Sequence, residues 1–184
     1  MSFNLSDVLR VLAVIGLVPA TIGDGAIGFA VMFLVVGGCM LPRALGVPPW
    51  LDALMCSSFI FAAWAALLDW YVSYEGLDLA VHAASTGLIG ILASQVAQRA
   101  RLLAPSGHPR ERLAVAVATV SSAGLLATVW EIGEWIGYTY FDDAIQVGYD
   151  DTITDLIAGI LGAGVAGLLA GAAVPRRVES TMPR

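Results

Sequence analysis

Lysine is absent from this chain, and its nine basic residues are all arginines. No basic patch with interleaved aromatics occurs, which excludes nucleic acid as a partner. Charge of either sign is scarce at 13% of 184 residues, while hydrophobic residues make up 58%. That balance excludes a soluble globular domain. A mean hydropathy of +0.81 points to a polytopic membrane protein whose partners are membrane lipids. Cysteine is scarce too. Cys39 and Cys56 fall in apolar runs near one membrane face, with no CxxC and no zinc-finger spacing. They read as small core residues rather than a disulfide or metal pair. There is no long linker, low-complexity tract or internal repeat, so residues 1–184 form a single domain.

What the chain has is apolar runs of membrane-spanning length. Six are expected, at about 8–23, 26–41, 50–72, 77–97, 113–138 and 152–174. The first is short and holds Pro19, and Gly23-Asp24-Gly25 after it is a tight-turn signature. Arg10 followed by an apolar stretch to Ile22 fits a signal peptide or a retained first helix. Retention is expected, because the later helices need an N-terminus inside. One connection is clearly polar, from Gln98 to Arg112. Its Pro105-Ser106-Gly107-His108 spells the central motif of PAP2-type lipid phosphatases, but the other elements those enzymes use are missing, and we read it as coincidence. The fold class is therefore all-α, a bundle of about six transmembrane helices.

Six spans sort the charges. One face takes Arg10, Arg43, Arg99, Arg101, Arg110, Arg112, Arg176, Arg177 and Arg184, every base in the chain. The other takes eleven of the fifteen acids and no base: Asp24, Asp69, Glu75, Asp78, Glu131, Glu134, Asp142, Asp143, Asp150, Asp151 and Asp155. The positive-inside rule puts both termini in the cytoplasm and the acids outside.

Within the acidic set, Trp130-Glu131-Ile132-Gly133-Glu134-Trp135 ends a membrane-length run. Ionisable groups at membrane depth are costly and mark functional sites by default. His82, Glu131 and Asp155 lie seventeen, nineteen and twenty-one residues from Arg99, Arg112 and Arg176. At about 1.5 Å per residue those separations are roughly 25, 28 and 31 Å, near the outer edge of a core about 30 Å thick. Helical spacing aligns Asp78, His82 and Ser85 or Thr86 on one face. It aligns Gly124, Ala127 or Thr128, Glu131 and Glu134 on another, and Asp151, Asp155, Gly159, Ala163, Gly167 and Gly171 on a third. The last row is a small-xxx-small ridge, so these groups should point into the bundle.

One histidine with several carboxylates from facing helices is the composition of a metal site in a helix bundle. His82, Glu131, Glu134, Asp155, Asp151 and Asp78 are the candidate ligands, and Glu131 and Glu134 the candidate catalytic acid and base. The cofactor would be a divalent ion: Mg, Mn or Ca for the oxygens, Zn or Fe once imidazole joins. Plain structural roles compete. Asp78, Asp150 and Asp151 begin helices, where Asp caps and favours the dipole. Asp24 suits a turn, Asp142 and Asp143 a solvated loop, and His82 could simply pair with Glu131 or Glu134. Trp130, Trp135, Tyr138 and Tyr140 fit an interfacial aromatic belt.

Asp78-xxx-His82, Glu131-xx-Glu134-Trp135 and Asp151-Thr152-xx-Asp155 together resemble the YjdF-type family of bacterial inner-membrane proteins. That family shows Asp-xxx-His, Glu-xx-Glu-Trp and Gly-xx-Asp-Thr-xx-Asp in this order; here Gly148 to Asp155 is a close variant. The resemblance covers roughly residues 64–172. Ala83-Ala84 replaces an aromatic after the histidine, and the connection before Asp78 is short. More distantly, the chain is similar to VanZ-like proteins. The resemblance implies a bacterial cytoplasmic membrane and supplies no activity. Three functions stay open: a metal-dependent membrane enzyme acting on a lipid-linked or envelope substrate, a cation or proton-coupled transporter, and a non-catalytic membrane subunit.

Overall fold

The computed structural model describes residues 4–142, 145 and 147–175; Asp143, Arg176, Arg177 and Arg184 lie outside them. Among the described residues every element is a helix. They are α1 (Leu5–Ala44), α2 (Pro49–Leu67), α3 (Trp70–Ser73), α4 (Leu77–Arg99), α5 (Glu111–Tyr140) and α6 (Tyr149–Ala173). All but α3 are long and apolar enough to cross a membrane.

These six helices are not the six expected spans. The first two spans form the single 40-residue element α1. Straight, it would run about 60 Å, twice the hydrocarbon core. It is not straight: Arg43 Nη1 lies 2.8 Å from Asp7 Oδ1, so its ends meet. The fold-back occurs at Gly25, whose φ of 60° and ψ of −133° leave the helical region. Only glycine adopts that conformation without a steric penalty. The two arms, residues 5–24 and 26–44, are therefore an antiparallel hairpin, as the Gly23-Asp24-Gly25 signature implied. Its start lies a turn earlier than expected because Asn4 and Asp7 form a reciprocal capping box.

The third expected span also changes. Its helix stops at Leu67, Asp69 takes a left-handed φ of 55°, and α3 starts as a separate turn. The N-caps of α4 and α6 are Gly76 and Gly148. Asp78, Asp150 and Asp151 thus occupy first turns rather than cap positions, where they still complement the helix dipole.

The packing is what lipid solvent requires. Large side chains such as Ile22, Leu161 and Leu168 face outward; the buried faces of α5 and α6 are mostly small residues, while Met32, Leu51 and Met55 are the largest side chains buried elsewhere. α1 packs on α2, α2 on α4, and α4, α5 and α6 on one another. The expected α6 ridge is buried at Asp155, Gly159, Ala163, Gly167 and Gly171. The closest approach is at Gly162, where any Cβ would run into the Ala83 backbone of α4. Ser58 and Ser85 hydrogen-bond across α2 and α4 at 2.7 Å. On α5 the buried stripe is Val115, Thr119, Ala123, Ala127 and Glu131. Gly124, expected on this seam, lies beside it, where an added Cβ would meet nothing within 4 Å, because the stripe runs one residue to its N-terminal side.

Charge is gathered at the two ends. At one, Arg99 donates to the Leu45 and Gly46 carbonyls and Arg112 to that of Val174. Here too Arg10, only 8% exposed, pairs with Asp52 and donates to the Cys39 carbonyl. Cys39 and Cys56 are free and fully buried beside this pair. Pro105–His108 lies in the connection at this end, where the Gly107 N–H donates to Glu111. The other end holds the starts of α4 and α6 and the end of α5.

Candidate metal centre

Three helices converge at the acidic end, and His82 is their hub. It stands one turn into α4, with Asp78 one turn before it. Its Nε2 lies 3.5 Å from Asp78 Oδ1 and 3.8 Å from Asp155 Oδ2 of α6. Its Nδ1 lies 3.7 Å from Glu131 Oε1 of α5. All three distances exceed those of direct hydrogen bonds. The imidazole thus divides the acids, with Asp78 and Asp155 on one nitrogen and Glu131 on the other.

Glu131 and Asp155 are only 6% and 3% exposed. Glu131 Oε1 and Asp155 Oδ1 are buried with no hydrogen-bond partner among the described residues. A buried carboxylate oxygen without a partner is costly, and such orphans signal a bound ion, water or proton. One donor atom each from Asp78, His82 and Asp155 lie within 4.8 Å of one another. Opposed oxygens on a six-coordinate ion at about 2.4 Å would be about 4.8 Å apart, and neighbouring ligands of a tetrahedral zinc about 3.3 Å. The imidazole–carboxylate distances of 3.5 and 3.8 Å fall within the separations found around a divalent ion.

The remaining candidates stand around this group. Glu134, half-buried one turn beyond Glu131, feels the charges of Glu131, Asp155 and Asp78 but adds no atom to the three-donor group. Asp151, in the first turn of α6, acts on Asp78, Glu131 and Asp155 from outside it. Trp130, Trp135, Tyr138 and Tyr140 are exposed at this end, and Trp135 meets Tyr140 edge-on at 6.1 Å.

Tyr71 has no counterpart in the sequence reading. Its hydroxyl donates to the Ala62 carbonyl at 3.1 Å, and the charges of Asp78, Glu134 and Asp155 reach it. No periodicity marks it, because its place depends on the helix break at Asp69. Asp52 did carry a signal, as an acid left among arginines in an apolar run.

Two depressions adjoin this end. A groove of about 470 Å³ runs between the last turns of α5 and the first turns of α6, with Glu131 in its wall. Another, of about 550 Å³, lies over Phe61, Trp70 and Leu77 and includes no residue of the three-donor group.

A family model described as "Predicted membrane protein (DUF2238)" matches residues 4–177. No curated protein and no solved structure matches the chain. The match and the five apolar helices identify a multi-pass integral membrane protein in a lipid environment.

Proposed function

The chain belongs to the DUF2238 family of predicted membrane proteins, and on that premise we propose a metal-dependent membrane enzyme acting on a lipid-linked or envelope substrate. The observation that carries this reading is the pair of orphaned buried oxygens on Glu131 and Asp155 beside the three-donor group. In it, His82, Asp78 and Asp155 would hold a divalent ion. Glu131, 3.7 Å from Nδ1, would orient the ring as the outer partner that a metal-bound imidazole usually has. Glu134 and Asp151, beside this group, would serve as acid/base residues. A bound divalent ion would supply Lewis acidity and a more acidic water.

Membership of the YjdF-type group, with a more distant VanZ-like relation, is part of the same proposal. So are a bacterial inner membrane, six crossings by one domain with both termini in the cytoplasm, and an outward-facing cluster. The arginine distribution supports that sidedness.

Transport is disfavoured, because residues 83–98, 113–130 and 156–173 contain no ionisable side chain to continue a path from the cluster. A subunit role is disfavoured because Glu131 and Asp155 face the seam rather than an outer surface. The test is to incubate proteoliposomes containing lipid extract with metal-loaded protein and compare their lipids with those from Asp155→Asn. A lipid product formed by wild type alone supports the enzyme. Unchanged lipids together with metal-ion uptake into the vesicles would replace it with a transporter.

A further inference from the structure

The groove between α5 and α6 has two unlike parts. Ile132, Trp135, Tyr138 and Leu156 give it apolar walls, and Glu131 and Thr152 line it as well. Its volume of about 470 Å³ falls in the range of small-molecule sites, roughly 300–1,000 Å³. Ile132, Trp135 and Tyr138 are half exposed, so the groove opens sideways from the helix pair, toward lipid. Glu131 belongs to both worlds: it lines the groove, is 6% exposed, and turns its unpartnered Oε1 to His82 at 3.7 Å.

Charge narrows what can sit there. Glu131 lines the groove, the charges of Asp78, Glu134, Asp151 and Asp155 act within the same acidic group, and among the described residues His82 is the only base-forming side chain paired with it. Arg10, Arg43, Arg99 and Arg112 are occupied at the opposite end of the bundle. A single divalent ion leaves such a cluster acidic. An anionic head group would meet repulsion in a low-dielectric setting with no arginine to offset it.

We propose that the groove binds one chain of an outer-leaflet lipid whose head group carries no net negative charge and lies against Glu131. The inference rests on reading the cluster as the place where that head is worked on, and it names the substrate class. Trp135 reports the chain directly, since it forms part of the wall.

The full chain in nanodiscs is titrated with three amphiphiles sharing one brominated alkyl chain and bearing a glyceryl, trimethylammonium or phosphate head. Quenching of Trp135 is taken as the part lost in Trp135→Phe. The glyceryl and trimethylammonium probes should quench Trp135, with the phosphate probe at least roughly tenfold weaker. Leu156→Phe, which fills the groove, should remove that quenching without lowering the melting temperature. Equal quenching by all three heads would mean ordinary surrounding lipid and overturn the proposal, as would quenching unchanged in Leu156→Phe. Mn²⁺ binding is measured on the same samples. Head-group discrimination without Mn²⁺ binding upholds the groove and refutes the metal centre. Mn²⁺ binding without discrimination refutes the groove alone.

Discussion

His82 and Glu131 face each other across α4 and α5 at 3.7 Å, Nδ1 to Oε1, while the other imidazole nitrogen faces Asp78 and Asp155. In the proposed centre this arrangement would separate a ligand from the residue that orients it. Glu131→Gln should keep the metal site and weaken Mn²⁺ affinity by about 10–100-fold, the usual loss for such an outer partner. His82→Ala should abolish binding. Isothermal titration checks both. If Glu131→Gln abolishes binding as fully as His82→Ala, Glu131 is itself a ligand.

The Arg10–Asp52 pair ties the first arm of α1 to α2, and both side chains are largely buried. Removing one partner leaves a buried charge alone. Arg10→Met should therefore lower stability by about 3–5 kcal/mol, and Arg10→Met with Asp52→Leu should recover most of it. Thermal unfolding in detergent gives the comparison. A double variant no more stable than the single one would show that pairing is not what holds the hairpin to α2.

Neighbouring glycines of α6 have opposite roles. Gly162 touches the Ala83 backbone, whereas Gly164 has nothing within 4 Å. Gly162→Val should cost about 2 kcal/mol or more through overpacking, and it should spread α4 from α6 and take metal binding with it. Gly164→Val should stay within about 0.5 kcal/mol of wild type. The melting temperatures of the two variants decide this, and equal losses would refute the α4–α6 contact.

Sidedness is testable without disturbing the fold, since Cys39 and Cys56 are buried. A membrane-impermeant thiol reagent applied to intact cells should label Phe141→Cys and spare Ser106→Cys. The reverse pattern would invert the orientation.

Much of the candidate site was legible in the sequence because membranes make charge rare. Glu131 and Asp155 stood out as acids within apolar runs, and helical spacing put them on the small-residue faces that pack. The α6 ridge was readable for the same reason. Contacts that cross between elements were not. Asp52 meets Arg10 only because α1 folds back at Gly25 and sets its first arm against α2. The break at Asp69 is a backbone conformation on a non-glycine residue, which composition does not announce, so Tyr71 went unnoticed. Gly124 was misplaced because a stripe of alanines and glycines reads almost equally well one residue out of phase.

The central claim is that the buried carboxylate of Asp155 belongs to a metal centre with Asp78 and His82, bordered by Glu131. The direct measurement is the metal content of the purified full chain, equilibrated with Mn²⁺ or Zn²⁺ and then desalted, beside that of Asp155→Asn. The account predicts about one ion per chain in wild type and close to none in the variant, because the site needs its full set of deprotonated ligands. No bound ion in wild type, or equal amounts in both proteins, would contradict it.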